Sequence, residues 1–397
     1  MWKHVVANVL TLAIVGLVVL MGVIGLGQRS FFAEGPLAQA ICLRVEPGAR
    51  LTQVTQQLAE QGAISNPMVF RLGAQYTDRT NRLRFGSYLV PPGASMDAIL
   101  DQITRGGAST CGTEVQFRIG VTRADYVVRE LDPATNRFAE VVSLPADTAE
   151  LPEDYLRYAQ QADTRFRVTI AEGVTSWNVW NALRQAEFLS GELPEVPAEG
   201  SLAPDSYEVR RGQDRAALVS DIQARQQTIL NALWERRAEG VPVATPEEAL
   251  VLASIIEREA GGPRELALVA SVFYNRMAQN MRFQMDATII YGITRGEGQL
   301  GRGITRSDID GVTERQRHGE VQYNTYQING LPPTPIANPG RAAIEATLNP
   351  EASDYLFFVT DGTGGHAFAV TLAEHNRNVA RWREIEAQQR QQQGTRP

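Results

Sequence analysis

The run from Val5 to Leu26 constrains this chain more than any other feature. Over those 22 residues only Asn8 and Thr11 carry clearly polar side chains. As a helix the run is roughly 33 Å long, enough to cross the hydrocarbon core of a bilayer. Two alternatives fit less well. Ala38-Gln39-Ala40 resembles a signal-peptidase site, but it ends 14 residues beyond Leu26, and the run exceeds the roughly 7–15 residues of a secretory h-region. Cys42 follows Ile41, where a lipoprotein signal needs a small residue. Lys3 and the amino terminus lie before the run and Arg29 after it, so the positive-inside rule predicts a single pass with the amino terminus in the cytoplasm. The remainder then stands outside the cytoplasm, in an oxidising compartment. In that oxidising compartment Cys42 and Cys111 can pair if they flank neighbouring strands.

Composition narrows the classes of function. With 397 residues, 43% hydrophobic and 21% charged, the chain is long enough for two or three domains with a sizeable core. A net charge of −7 leaves no basic surplus for neutralising phosphates, which argues against a nucleic-acid partner. Two cysteines without C-x-x-C spacing and four histidines without H-E-x-x-H predict no metal site, and no cofactor motif is present. The Gly-rich loop Gly296–Gly303 lacks the G-K-[ST] ending of a phosphate cradle.

A repeated grammar divides the middle of the chain. After a spacer over 28–40, ICLRV reads as a strand, EPG as a turn and LTQVTQQLAEQG as an amphipathic helix. Arg167–Leu183, RVTIAEGVTSWNVWNAL, repeats that order. Likewise Ala203–Ile222 matches FGSYLVPPGASMDAILDQI. Two β-α modules result, over 41–107 and 167–240. Between them, 108–166 alternates like hairpins and carries no evident chemistry. The segment 386–397, rich in glutamine, reads as a disordered tail.

The segment 241–385 holds the candidate chemistry. Pro246–Ala260, PEEALVLASIIEREA, has Thr245 as N-cap, Pro246 at the first helical position, Glu248 to complete a capping box, and Gly261-Gly262 as a stop. It is apolar in nearly every direction, as buried helices are. At about 100° per residue Glu257 lies over Leu250 and Ala253, among core side chains. Burial raises a carboxyl pKa and favours the protonated form that a general acid needs. The plainer alternative is that Glu257 pairs with an arginine and closes the helix. Glu259, about 200° further round, is a rival acid on periodicity alone. Downstream, Gln284, Asp286, Tyr291, Tyr323, Asn324, Tyr326 and His366 supply amide, hydroxyl and aromatic groups, which suit a sugar polymer. Asp286 reads as a helix cap.

SIIEREA, VFYNRM, RFQMDATIIYG, YNTYQINGLPPTPIANPG and GGHAFAVTLAEHN resemble the signature blocks of the MltG/YceG-like family of endolytic murein transglycosylases. The likeness covers roughly residues 41–385. It implies an α+β fold with an N-terminal transmembrane helix over 5–27 behind a cytoplasmic tip at 1–4, a lysin-motif-like module over 41–107 and a mixed α+β catalytic domain. The 108–166 segment reads as a strand-rich insertion relative to the family's spacing. The resemblance implies a lyase that cuts the MurNAc–GlcNAc β-1,4 bond of peptidoglycan glycan strands without water and leaves 1,6-anhydroMurNAc ends, which terminates strand elongation. It places the catalytic acid at Glu257 rather than Glu259, with Gln284, Asn324, Tyr326, Tyr323, Tyr291 and His366 around the substrate. Peptidoglycan synthases are the partners it implies. The competing expectations are a non-catalytic glycan-binding scaffold and a hydrolytic glycosidase with two carboxylates.

Overall fold

A computed structural model describes residues 2–105, 109–311 and 320–394. The chain is a mixed α+β protein divided into two compact units. The first comprises residues 1–116, 127–143 and 149–165; the second comprises 117–126, 144–148 and 166–397.

The first unit opens with helix α1 (Trp2–Phe32), of which Leu10–Phe32 is long and apolar enough to cross a membrane. The helix runs on five residues past the expected span, into the expected spacer, and Phe31 is buried. The chain after it is not slack, because the Gly35 amide donates to the Gly93 carbonyl and the Gly93 amide to that of Leu37, at 3.0 and 2.9 Å. Strand β1 (Ile41–Val45) is followed by helices α2 (Leu51–Glu60) and α3 (Pro67–Tyr76), strand β2 (Gly86–Val90) and helix α4 (Met96–Arg105). Strands β1 and β2 pair antiparallel, with Ile41 opposite Val90. Asn66 starts α3 because its side-chain oxygen accepts from the Met68 and Val69 amides, and Pro67 needs no partner there. Leu43, Val54, Leu58, Phe70, Ile99 and Ile103 fill the core of this module. The Cys42–Cys111 disulfide is formed, and Asp163 accepts from both Arg44 and Ser87.

Three longer strands, β3 (Thr113–Ile119), β4 (Ala124–Asp132) and β5 (Arg137–Pro145), come next, then helix α5 (Glu153–Ala159) and strand β6 (Arg165–Ile170). The second unit continues with α6 (Ser176–Gln185), the short strands β7 (Leu189–Ser190), β8 (Ser206–Val209) and β9 (Gln213–Asp214), and α7 (Arg215–Trp234). A five-stranded sheet has the order β5-β4-β3-β6-β8, with β6 and β8 antiparallel and Phe166 opposite Val209. Among the described residues of 108–166, β3, β4 and β5 are neighbouring strands of that sheet.

Helices α8 (Pro246–Glu259), α9 (Leu266–Ala278), α10 (Asp286–Thr294), α11 (Arg306–Ile309) and α12 (Arg341–Leu348) follow, then strands β10 (Phe357–Thr360) and β11 (His366–Ala369) and helix α13 (Leu372–Gly394). Leu252, Ile255, Ile256, Val269, Phe273, Phe283 and Ile344 form the core around α8. Thr245 accepts from the Glu248 amide at 3.2 Å, and Glu248 reaches back to the Ala244 amide at 2.7 Å, one residue earlier than a capping box requires. Helix α13 runs through Gly394, where glutamine-rich composition predicts a disordered tail over 386–397. Arginine, glutamine and glutamate are good helix formers, and Arg390 pairs with Glu386 one turn away. Residues 395–397 of that expectation lie outside the described residues.

Candidate active site

Two tight turns of the second unit meet at the C-terminal end of α8. The first is Glu172-Gly173-Val174, which joins β6 to α6; the second is Asn338-Pro339-Gly340, which leads into α12. They are clasped by the Gly173 amide donating to the Asn338 carbonyl and the Asn338 amide donating to the Val174 carbonyl, both at 2.9 Å. The Asn338 side chain, fully buried, donates to the Val174 carbonyl at 2.9 Å and accepts from the Leu202 amide at 2.9 Å. From α7 the Gln226 amide group donates to the Pro339 carbonyl. The second turn is also pinned to α8 itself. Ser254 accepts from the Ile336 amide at 3.0 Å, and one turn further on the Glu257 Oε2 atom accepts from the Gly340 amide at 2.9 Å. Residues three apart share a helix face, so α8 presents Ser254 and Glu257 together to this loop.

Glu257 is half-buried, directly after the buried run Val251–Ile256 of α8. Burial pushes its carboxyl up to about 6, the Gly340 amide pulls the other way, and the negative charge of Glu172 raises it further against the opposing charge of Arg258. A carboxyl in this range is mostly ionised at pH 7 but keeps a far larger protonated fraction than an ordinary glutamate. It can therefore both give and take a proton, as a group acting first as acid and then as base must. Arg258 donates to the Gly173 carbonyl at 3.3 Å rather than to Glu257, so the helix-closing alternative does not describe the contacts seen. A Cβ on Gly340 would meet the carboxyl end of the exposed Glu172 side chain, which would have to swing aside. Two carboxyls therefore flank one glycine, Glu257 on its amide and Glu172 against its Cα.

A third carboxyl lies behind this turn. Glu199 accepts from the Ser176 amide at 2.8 Å and from the Tyr291 hydroxyl, and burial pushes it up to about 7. The Asn338 side chain also points to it. Thr175 donates to the Gly296 carbonyl at 2.7 Å, so the Gly-rich loop is tied to the same support.

The six expected substrate residues fall into three groups. Tyr291 and Tyr323 belong to the supporting layer: their rings lie 5.1 Å apart, and the Tyr323 hydroxyl pairs with that of Thr334 at 2.7 Å. Gln284, Asn324 and Tyr326 gather at the start of α10. Gln284 is exposed, with its backbone at φ 56° and its amide donating to the Thr325 carbonyl. The Asn324 side chain is buried and donates to the Asp308 and Ile309 carbonyls, which fixes a loop. The Tyr326 hydroxyl donates to Asp286 at 2.8 Å. Asp286 itself occupies the first position of α10 rather than its N-cap, which is Met285. The rival Glu259 accepts from the Ala287 amide, and burial pushes it up to about 7. His366 forms the third group: its Nδ1 atom and amide both meet Glu265, which also accepts from the Gly261 amide just past α8.

Glu172, Glu199, Asn338 and Gly340 were not singled out as site residues by pattern. The repeated AEG turn and the I-A-N-P-G ending of the proline-rich loop are the sequence signals that contain them.

The family model described as the YceG-like family matches residues 43–137 and 146–381. Within 108–166, read from spacing as an insertion, the match omits only 138–145. A protein of Streptococcus pneumoniae strain D39 named endolytic murein transglycosylase is 24% identical over 345 residues, 86% of this chain and 58% of that protein. The chain thus spans little more than half the length of that relative. A protein of the same name from Bacillus subtilis is 24% identical over 335 residues, 84% of this chain and 82% of that one. A crystal structure of a yceG-like protein from Listeria monocytogenes is 21% identical and covers 85% of this chain and 98% of that one, with a TM-score of 0.44.

Proposed function

The chain belongs to the YceG-like family, and from that premise we propose that it is a membrane-anchored peptidoglycan lytic transglycosylase with Glu257 as its acid and base. The carrying observation is the placement of Glu257, half-buried and raised to about 6, on the Gly340 amide between the two clasped turns. The names of the pneumococcal and Bacillus relatives support the substrate class. On this reading Glu257 protonates the bridging oxygen of the MurNAc–GlcNAc β-1,4 bond and the GlcNAc hydroxyl departs. The carboxylate then takes the proton from the MurNAc 6-hydroxyl as its oxygen closes onto C1. One bond breaks, one forms, the proton is returned, and the new end is 1,6-anhydroMurNAc. The Gly340 amide steadies the carboxylate stage, since a hydrogen bond to the charged form favours it. Exposed Gln284 is the best placed of the six expected groups to bond a sugar. Tyr291, Tyr323, Asn324, Tyr326 and His366 shape the surround through the partners described above.

Leu10–Phe32 is the proposed single-pass anchor of the inner membrane. The Cys42–Cys111 disulfide supports a periplasmic location for everything after it. The β1–α4 module is proposed, as a lysin-motif-like element, to hold the glycan strand. Nascent strands emerging from peptidoglycan synthases are the proposed substrate, and cutting them ends their elongation.

Glu172 favours a second reading, hydrolysis with two carboxyls, because it stands beside Glu257. Mass spectrometry of glycan strands digested by the purified chain separates the possibilities. Anhydro-ended fragments, lost in Glu257→Gln, support the lyase. Fragments heavier by one water mean hydrolysis, and uncut glycan that still binds means a scaffold.

A further inference from the structure

Helix α3 of the first unit leaves an apolar stripe unpartnered. Met68, Leu72 and Tyr76 are 64%, 58% and 86% exposed, and their spacing of four places them along one side of the helix. Phe70 and Ala74, about 200° round from that stripe, are buried in the module core. The helix therefore already has its proper core face, and the second apolar face is surplus to folding. Surfaces of this kind mark an interaction.

Where the stripe lies identifies its occupant. Gly73, next to Leu72, receives the ring of Phe31, and a Cβ there would collide with it. Helix α3 is thus packed directly on the last turn of α1. At 1.5 Å per residue Met68 and Tyr76 lie roughly 8 and 5 Å along the helix from that contact. The headgroup layer on each side of a bilayer is roughly 5–8 Å deep. The last turn of α1 also has the make-up of a membrane boundary, with Arg29 followed by Phe31 and by Phe32, which is 62% exposed. The bonds between Gly93 and the chain at Gly35 and Leu37 prevent the module from drifting away from that end.

Charge agrees. Between Pro67 and Phe85 there are four arginines and one acid, Asp78, in a chain of net charge −7. Arg79 pairs with Asp97 and Arg82 with Asp78, while Arg71 and Arg84 are exposed. Apolar side chains bordered by arginines are the make-up of a helix lying in an interface with anionic lipid.

We propose that α3 lies in the outer headgroup layer of the bilayer that α1 crosses, with Met68, Leu72 and Tyr76 inserted among the lipids. The module is then a second, lateral point of attachment. This inference rests on the anchoring reading of α1, and the experiment keeps the two apart. Full-length protein carrying Leu72→Cys, Val18→Cys or Gln56→Cys is nitroxide-labelled without reductant, so that Cys42–Cys111 stays closed. Each variant is reconstituted in vesicles of phosphatidylethanolamine and phosphatidylglycerol. Relaxation by oxygen is compared with relaxation by a water-soluble nickel chelate. The expected result is a several-fold preference for oxygen at position 72, in the direction of the label at 18 and unlike that at 56, on the exposed side of α2. A label at 72 as open to the chelate as that at 56, with 18 in lipid, overturns the proposal alone and leaves the stripe to a protein partner. A water-exposed label at 18 overturns the anchor, and the proposal with it.

Discussion

The two β-α modules end their first strand in the same way and use it differently. In the first unit β1 leads into Glu46-Pro47-Gly48; in the second β6 leads into Ala171-Glu172-Gly173. Both glycines sit in the left-handed region, at φ 78° and 75°, where a residue with a Cβ is strained. Around Gly48 there is open space, and Glu46 pairs with its neighbour Arg44 at 3.1 Å. Around Gly173 the Arg258 and Glu257 side chains lie at contact distance, its carbonyl accepts from Arg258, its amide donates to Asn338, and Glu172 packs on Gly340. One turn is therefore only a turn. The other is part of the wall of the candidate site. Local sequence specifies the geometry of such a turn, but its chemistry comes from what tertiary packing brings against it.

The comparison breaks most severely if Glu257 is not the acid. Glu257→Gln is expected to lower turnover by about 10²–10⁴-fold, the usual worth of a positioned acid-base group, with glycan binding retained. The same variant tests the electrostatics. The folded-state pKa of Glu257 lies above its ordinary 4.5, so folding favours the protonated form. That contribution is present below pH 4.5 and is lost as pH rises through about 6. Calorimetry should find Glu257→Gln more stable than the parent by about 1 kcal/mol at pH 8, after allowance for solvent screening, and no gain at pH 4.

Next in size is Gly340→Ala, whose Cβ displaces Glu172 or the turn that carries the Gly340 amide. A loss of about 10–100-fold in kcat/KM is expected, in line with a shift of about 1 Å at a reacting group. Combining it with Glu172→Ala should restore part of the loss, and additive losses would show that the two do not meet.

Smaller still is the matched pair Gly48→Ala and Gly173→Ala. Each should cost about 1–2 kcal/mol in chemical denaturation, from the left-handed backbone alone. Only the second should change kcat/KM; equal effects on activity would erase the contrast between the modules. The smallest effect belongs to Glu172→Gln. Removing its charge lowers the Glu257 pKa, so the limb of kcat/KM that falls as pH rises should move to lower pH by a few tenths of a unit. Glu46→Gln should leave that limb unmoved.

Much of this was legible locally. Thr245 and Pro246 announce α8, Asn66 and Pro67 announce α3, and the alternation of ICLRV and RVTIA marks β1 and β6. Helical periodicity places Glu257 on the face of Leu250 and Ala253 but leaves Glu259 as a rival, and only the family motif chooses between them. The neighbours of Glu257 were not legible locally, because Glu172 is 85 residues away and Gly340 is 83 residues away in the chain, and no period connects them. Asn324 shows the converse. An amide in a polar aromatic run reads as a ligand for sugar, but its donors are spent on the Asp308 and Ile309 carbonyls. Composition likewise identifies Asn324 as a donor without saying which acceptor folding will supply.

The Cys42–Cys111 bond encloses almost all of the first module, its ends 69 positions apart in sequence. On the chain-entropy account a loop of that length is worth about 4 kcal/mol. Cys42 lies ten residues after α1 and Cys111 before most of the second unit. On the proposed orientation, the knot can therefore be tied while the rest of the chain is still being exported. The module next to the membrane would then be cross-linked before the segment carrying Glu257 has crossed, with Asp163 joining Arg44 and Ser87 afterwards.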